Sequence, residues 1–213
     1  MPHGQEMVPE RWSRLMEAWG FDRNQQTYDA LVAAYTEKGR YYHTSEHISA
    51  CLRHLDDCGL ELEFPREVEI ALWFHDAIYK PLSRNNERKS ADWAAEFLRE
   101  NGAKEEEATR VHRLIIATEH DALPLNGDES ALIDIDLSIL GADPATYEVF
   151  EKNVRKEYRL VPSFIYKRKR AEILQGFLER PQIYSTERFS RALERQAREN
   201  LANAIARLKD REA

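Results

Sequence analysis

The sequence predicts an all-α protein, and two observations support this fold class. Apolar side chains recur at the three- and four-residue spacing of amphipathic helices along nearly the whole chain, without the strict alternation that is typical of strands. Proline and glycine stand where such helices begin and end, as Pro9 and Gly20 do around the first. No linker or change of composition interrupts the 213 residues, so residues 1–213 are expected to form one domain.

The first five predicted helices each combine an apolar stripe with a start or stop residue. Gly39 should end the second, Thr44 or Ser45 should cap the third, and Pro65 should open the fourth. The stripes are Trp12, Leu15, Met16 and Trp19; Tyr28, Leu31, Val32 and Tyr35; Ile48, Cys51, Leu52 and Leu55; Val68, Ala71 and Leu72; and Trp93, Ala94, Phe97 and Leu98, in a helix that starts at Asn85 or Asn86.

Five more helices are expected in the rest of the chain. A sixth spans about residues 104–119, and the polar residues 123–130 favour a loop. Asp134 should cap a short seventh helix that ends at Gly141, and Pro144 should open the eighth. The ninth spans about residues 165–178, and a long amphipathic tenth begins at Thr186.

Composition excludes several classes of protein. No apolar run approaches the ~18 residues that a membrane span needs, and the first residues lack the pattern of a signal peptide. Cys51 and Cys58 are seven positions apart on a predicted helix, roughly 10 Å and too far for a disulfide, which favours the cytoplasm. The net charge of −7 disfavours binding to a nucleic acid polymer. Residues 152–170 are an exception, with eight basic side chains and one acid, which indicates either a solvated face or a rim that attracts phosphate.

Four candidate metal ligands lie on three predicted helices: His47, His75, Asp76 and Asp136. Both histidines lie on the buried side of their helices, and Asp76 and Asp136 are flanked by apolar residues. A buried carboxylate without a cation or donor is costly, and one shared divalent ion would satisfy both aspartates. Asp134 and Asp136 are about 200° apart around a helix, so Asp134 is assigned to capping and Asp136 to the metal.

Four ordered motifs carry a family resemblance. They are RYYHTSEHI at 40–48, WFHDAIY at 73–79, NERKSA at 86–91 and DIDLSILG at 134–141, with ARENL at 197–201 closing the pattern. The arrangement resembles the H…HD…D signature of the HD-domain superfamily of metal-dependent phosphohydrolases, and more closely a poorly characterised bacterial family within it. The resemblance implies an HD-type helical bundle in which His47, His75, Asp76 and Asp136 hold Mn, Ni, Co, Fe, Zn or Mg.

The same resemblance implies phosphoester hydrolysis by metal-activated water, with Asp76 taking part. Related hydrolases carry an acid shortly after the His-Asp pair, whereas here Tyr79 and Lys80 follow. Glu87 is the nearest acid and is predicted to be the general base, although a glutamate that favours the helix dipole would occupy the same position. His120 could assist catalysis or bind a second metal, or could be a surface histidine at a helix end.

The predicted function is a cytoplasmic metal-dependent phosphohydrolase for a small phosphorylated metabolite, with a nucleotide as the favoured substrate class. The predicted substrate contacts are Arg40, His43, Lys80, Arg155 and Arg170. Two alternatives stay open: a di-iron oxygenase on the same fold, and a nonenzymatic module that binds a metal or a nucleotide. Neither a nucleic acid polymer nor a membrane is expected as a partner, and assembly into a homo-oligomer is left open.

Overall fold

The computed structural model describes residues 7–57, 59–120 and 124–209. Within these ranges the chain is all-α and contains no β-strand, as predicted. The helices are α1 (Pro9–Trp19), α2 (Gln25–Tyr35), α3 (Ser45–Asp57), α4 (Pro65–Phe74), α5 (Asn86–Glu100), α6 (Glu105–Ile116), α7 (Gly127–Asp136), α8 (Pro144–Glu157), α9 (Ser163–Glu179) and α10 (Glu187–Lys209). Short 3-10 helices, Ala117–Glu119 and Leu137–Gly141, follow α6 and α7. No helix in the described ranges is both long and apolar enough to cross a membrane.

The chain consists of two compact units, Met1–Ile135 and Asp136–Ala213. The first contains α1 to α6 and all of α7 except its last residue. The second contains the 3-10 helix after α7 and helices α8 to α10. That the two units act as one domain stays a prediction.

The core of the first unit is an aromatic cluster around α4. The rings of Trp12 and Trp73 meet edge-on with centroids 5.3 Å apart, and Phe74 lies 5.6 Å from Phe97. Every residue of α4 from Ile70 to Phe74 is buried, so the second half of this helix is covered on all sides. The residues that follow Phe74 therefore begin inside the unit rather than on its surface.

Helix α7 begins earlier than the sequence predicted. Asn126 Oδ1 accepts a hydrogen bond from the backbone N–H of Glu129 at 2.9 Å, and Glu129 accepts one from Leu125 N–H at 2.7 Å. These side chains cap a helix from Gly127, so the loop predicted over 123–130 is wrong from 127 onward, and residues 121–123 lie outside the described ranges. Asp134 is buried within α7 and is not an N-cap, which corrects its assigned role.

In the second unit, α10 and the segment before it hold the 3-10 helix Leu137–Gly141. Asn200 donates its side-chain N–H groups to the carbonyls of Leu140 at 2.9 Å and Ala142 at 2.8 Å, and the Tyr184 hydroxyl donates to the Leu137 carbonyl at 3.1 Å. A Cβ atom at Gly141 would lie 2.5 Å from the Cβ of Leu193. Close packing therefore requires a glycine at position 141, which is also the last residue of the 3-10 helix, where the sequence predicted the helical segment to end.

Candidate metal centre

Three potential metal ligands converge at the ends of two helices of the first unit. His47 lies in the first turn of α3, and His75 and Asp76 directly follow α4. The Nε2 atoms of His47 and His75 are 3.2 Å apart, and Asp76 Oδ2 lies 3.5 Å from the first and 3.3 Å from the second. Ligand atoms bound about 2.1 Å from one ion at near-tetrahedral angles are roughly 3.4 Å apart. This nearly equilateral triangle therefore fits a single divalent cation.

One hydrogen bond orients the His75 ring for such a role. His75 Nδ1 is 3.0 Å from the carbonyl oxygen of Leu72. A carbonyl can only accept, so Nδ1 donates its proton to it, and Nε2 is the ring nitrogen that faces His47 and Asp76. A metal-binding imidazole commonly donates its other N–H in this way, because the bond fixes both tautomer and orientation.

Asp76 supplies negative charge to the centre. Burial by itself would raise the pKa of its carboxyl group, but the nearby His75 and His43 and the hydrogen bonds from His47 and His75 outweigh burial and hold the pKa well below its usual range. Its side chain is 15% exposed, so the carboxylate is largely screened from water. The structure therefore brings together three residues of the predicted ligand set, which are His47, His75 and Asp76.

Asp136 is the fourth predicted ligand and the last residue of α7. It follows Ile135, the final residue of the first unit, and is half-buried. The continuous helix sets its backbone position relative to the rest of α7. Its role as a ligand stays a prediction.

Cys51 is a residue at this centre that sequence reasoning assigned only to an apolar stripe. It is a free, buried thiol, and ligand atoms of His47, Cys51 and His75 lie within 4.8 Å of one another. Its Sγ is 3.8 Å from both ring nitrogens of His47, so it lies away from the lone-pair axis of Nε2 and packs on the ring in this rotamer. The four-residue spacing between His47 and Cys51, which places both on one helix face, was the signal available in the sequence.

Glu87 interacts electrostatically with Asp76 and with His120. Burial, followed by the charges of Asp76 and Glu119, raises the pKa of the half-buried Glu87, while its backbone hydrogen bond and His120 act in the opposite direction. Glu87 is thus a carboxyl group near the centre whose proton affinity is increased. His120 has a left-handed backbone with φ of 58° and immediately precedes residues 121–123, which are not described.

Arg40 and His43 border the centre through the segment before α3. Arg40 is buried and donates hydrogen bonds to the carbonyls of His43 at 3.2 Å, Asp76 at 2.6 Å and Ala77 at 2.8 Å. The His43 ring stacks on Tyr79 with centroids 4.0 Å apart. The phosphate contacts predicted for these two residues stay predictions, and in the structure both terminal nitrogens of Arg40 donate to backbone carbonyls.

Lys80 has an exposed side chain, and its backbone joins the chain after Asp76 to the start of α5. Its N–H donates to Asn86 Oδ1 at 3.1 Å, and its carbonyl accepts from Asn86 Nδ2 at 3.0 Å. Asn86 is buried, so this paired bond fixes the loop next to Glu87. The Lys80 ammonium group stays a predicted substrate contact.

Arg155 and Arg170 belong to the second unit, where both have structural partners. Arg155 donates to the carbonyls of Tyr158 at 2.6 Å and Val161 at 3.1 Å, just after α8. Arg170 pairs with Glu151 through two hydrogen bonds of 2.5 and 3.2 Å. Lys152 and Lys169 also pair with acids on their own helices. Much of the charge in the basic stretch 152–170 is therefore balanced locally, and the predicted phosphate clamps stay predictions.

Comparison with known proteins identifies no relative. No protein-family model, curated protein or solved structure matches the chain.

Proposed function

We propose that the protein is a metal-dependent phosphohydrolase of the HD type that acts on a small phosphorylated metabolite, with a nucleotide as the favoured substrate class. The triangle of His47 Nε2, His75 Nε2 and Asp76 Oδ2 is the observation that supports this proposal most directly. Two imidazoles and a carboxylate suit a borderline divalent ion such as Mn, Fe, Co, Ni or Zn. Asp136, at the end of α7, is proposed as the further ligand.

A divalent ion held there would draw a phosphate oxygen to the centre and lower the pKa of the attacking water. The residues of the chain would then orient the reactants and move protons. Glu87 is proposed as the general base because its raised pKa increases its ability to take a proton from water. His120, which lowers the pKa of Glu87 and so interacts with it, is proposed to assist this transfer.

Recognition of the phosphate is assigned to polar side chains around the centre. His43, whose ring stacks on Tyr79 beside the centre, and the exposed Lys80 are the proposed contacts in the first unit. The proposal keeps the cytoplasmic location that the sequence predicts. A small substrate is proposed rather than a nucleic acid polymer, because the overall charge of −7 disfavours binding to a polyanion.

Metal analysis combined with a phosphoester panel tests the proposal. Protein purified without oxygen should contain about one divalent ion per chain and hydrolyse at least one nucleotide or sugar phosphate. Asp76→Asn should lower metal content and abolish hydrolysis, whereas Glu87→Gln should retain the metal and lose most of kcat. Asp92→Asn, an exposed aspartate on α5, is the matched control and should leave both unchanged. Two irons per chain would favour the oxygenase, and a bound ion without any hydrolysis would favour a binding module.

A further inference from the structure

We propose that Arg40 is a positioning residue that holds the two ligand-bearing segments of the metal centre at coordinating distance. This inference rests on the proposed function. The sequence predicted that Arg40 contacts the phosphate directly. We infer an indirect role instead, because its guanidinium group donates hydrogen bonds to the backbone of the segments that carry the ligands.

The end of α4 depends on donors from elsewhere in the fold. The last carbonyls of a helix have no partner within the helix, and here side chains supply several of the missing donors. The Tyr35 hydroxyl donates to the Trp73 carbonyl at 2.9 Å, and Arg40 donates to the carbonyls of Asp76 and Ala77. The turn that carries His75 and Asp76 is therefore held by residues from α2 and from the segment after it.

The same guanidinium also reaches the segment that leads into α3. Arg40 donates to the carbonyl of His43, four residues before His47 and two before the first residue of α3. One rigid fork of N–H donors thus joins the segment that leads into α3 to the backbone of Asp76 itself. A flexible ammonium group could not satisfy three carbonyls at fixed positions in this way.

The surroundings of Arg40 support a permanent rather than a transient role. Its side chain is 3% exposed, and the Tyr35 and Tyr79 rings lie 5.3 and 5.6 Å from its guanidinium carbon. The partial negative charge at the C-terminal end of α4 favours a cation here. A metal centre must keep its ligands within about 0.5 Å of the productive geometry, so loss of this fork should weaken metal binding as well as the fold.

Cobalt titration of variants tests the inference with a readout that does not depend on activity. Co²⁺ alone, followed by its visible absorption, should bind Arg40→Met about 10- to 100-fold more weakly than wild type, as is typical when a partner that orients metal ligands is lost. Arg40→Lys should lie between them, because it keeps the charge but not the fork. Circular dichroism should confirm that each variant is helical at the temperature of the titration.

Arg110→Met is the matched structural control. Arg110, on α6, pairs with the buried Glu67 on α4. Glu67 lies near the start of α4, at the end opposite to His75 and Asp76. This variant should lose stability and still bind Co²⁺ within about twofold of wild type, because distant sites behave independently.

Several outcomes would overturn the inference. Wild-type affinity for Co²⁺ in a destabilised Arg40→Met would reduce Arg40 to a purely structural residue. Unchanged affinity with a KM raised about tenfold or more would restore the predicted phosphate contact. Absence of Co²⁺ binding by the wild type would reject the proposed function together with the inference. If Arg40→Met does not fold, Arg40→Lys decides, and wild-type affinity in that variant refutes the positioning role.

Discussion

Asp128 provides the sharpest test of how α7 is attached to α4. Its carboxylate is buried and accepts hydrogen bonds from the backbone N–H groups of Glu63 and Phe64, both at 2.9 Å, where α4 begins. Glu63 and Phe64 come directly before the first residue of α4, so their N–H groups take no part in the hydrogen bonds of that helix and need an acceptor from elsewhere. Asp128→Ala removes both acceptors, and Asp128→Asn leaves one neutral oxygen.

The structure sets the size of the expected effect. A hydrogen bond to a charged group contributes about 1.5–3 kcal/mol, and two are lost in Asp128→Ala. Glu63 is exposed and Phe64 is half-buried, so water can partly replace the carboxylate. We therefore expect the free energy of unfolding to fall by about 2–3 kcal/mol for Asp128→Ala and by about 1–2 kcal/mol for Asp128→Asn.

Urea unfolding followed by tryptophan fluorescence measures this loss of stability in the first unit, which contains Asp128. The four tryptophans of the chain all lie in the first unit, so their emission reports on the unfolding of that unit. Asp29→Ala, an exposed aspartate on α2, is the control and should change stability by less than about 0.5 kcal/mol. If Asp128→Ala matches this control, the cap contributes nothing and the argument from its two hydrogen bonds is refuted.

Three further predictions concern the proposed centre and the basic stretch. Saturating Zn²⁺ at about 100 times its Kd should stabilise the wild type by about 2.7 kcal/mol, visible as a rise in Tm. The rise in Tm should vanish in Asp76→Asn. An equal rise in both proteins would show that the ion binds elsewhere. Because the pKa of Glu87 is raised, kcat/KM should fall as the pH drops through that pKa and the base becomes protonated. Glu87→Gln should remove this fall on the acidic side of the pH profile. If the pH profile of Glu87→Gln keeps the fall, Glu87 is excluded as the base. Arg170→Ala should destabilise the protein by about 2–4 kcal/mol, because it leaves Glu151 without its cation. If Arg155 or Arg170 binds the phosphate of the substrate, alanine at that position should also raise KM about 10- to 100-fold with metal content unchanged. Unaltered kinetics would assign both arginines to structure alone.

The helices illustrate what could be read without coordinates. Stripes such as Trp12, Leu15, Met16 and Trp19 depend only on local periodicity, and these side chains are buried on α1 as predicted. Gly20 ends α1 in a left-handed conformation, again as its type and position predict. The start of α7 was missed because its capping group, Asn126 with Glu129, lies in a polar stretch whose composition is typical of a loop.

The candidate centre shows the same division at the level of chemistry. The types and order of His47, His75 and Asp76 were sufficient to predict that they converge, because inward imidazoles and a carboxylate flanked by apolar residues need a common partner. Cys51 was assigned to the core because a buried cysteine usually behaves as a small apolar residue. Its contact with the His47 ring depends on rotamers that the sequence does not state.

Local periodicity by itself determined the all-α fold class, the approximate order of the helices and the segments that carry the metal-binding residue types. Only the tertiary structure decided which groups the arginines contact. Arg40 and Asp76 are 36 residues apart and Arg170 and Glu151 are 19 apart, yet each pair meets through packing. An arginine has the same donors whether it faces phosphate, a carboxylate or a row of carbonyls, so its partner is set by the folded chain around it and not by its neighbours in sequence.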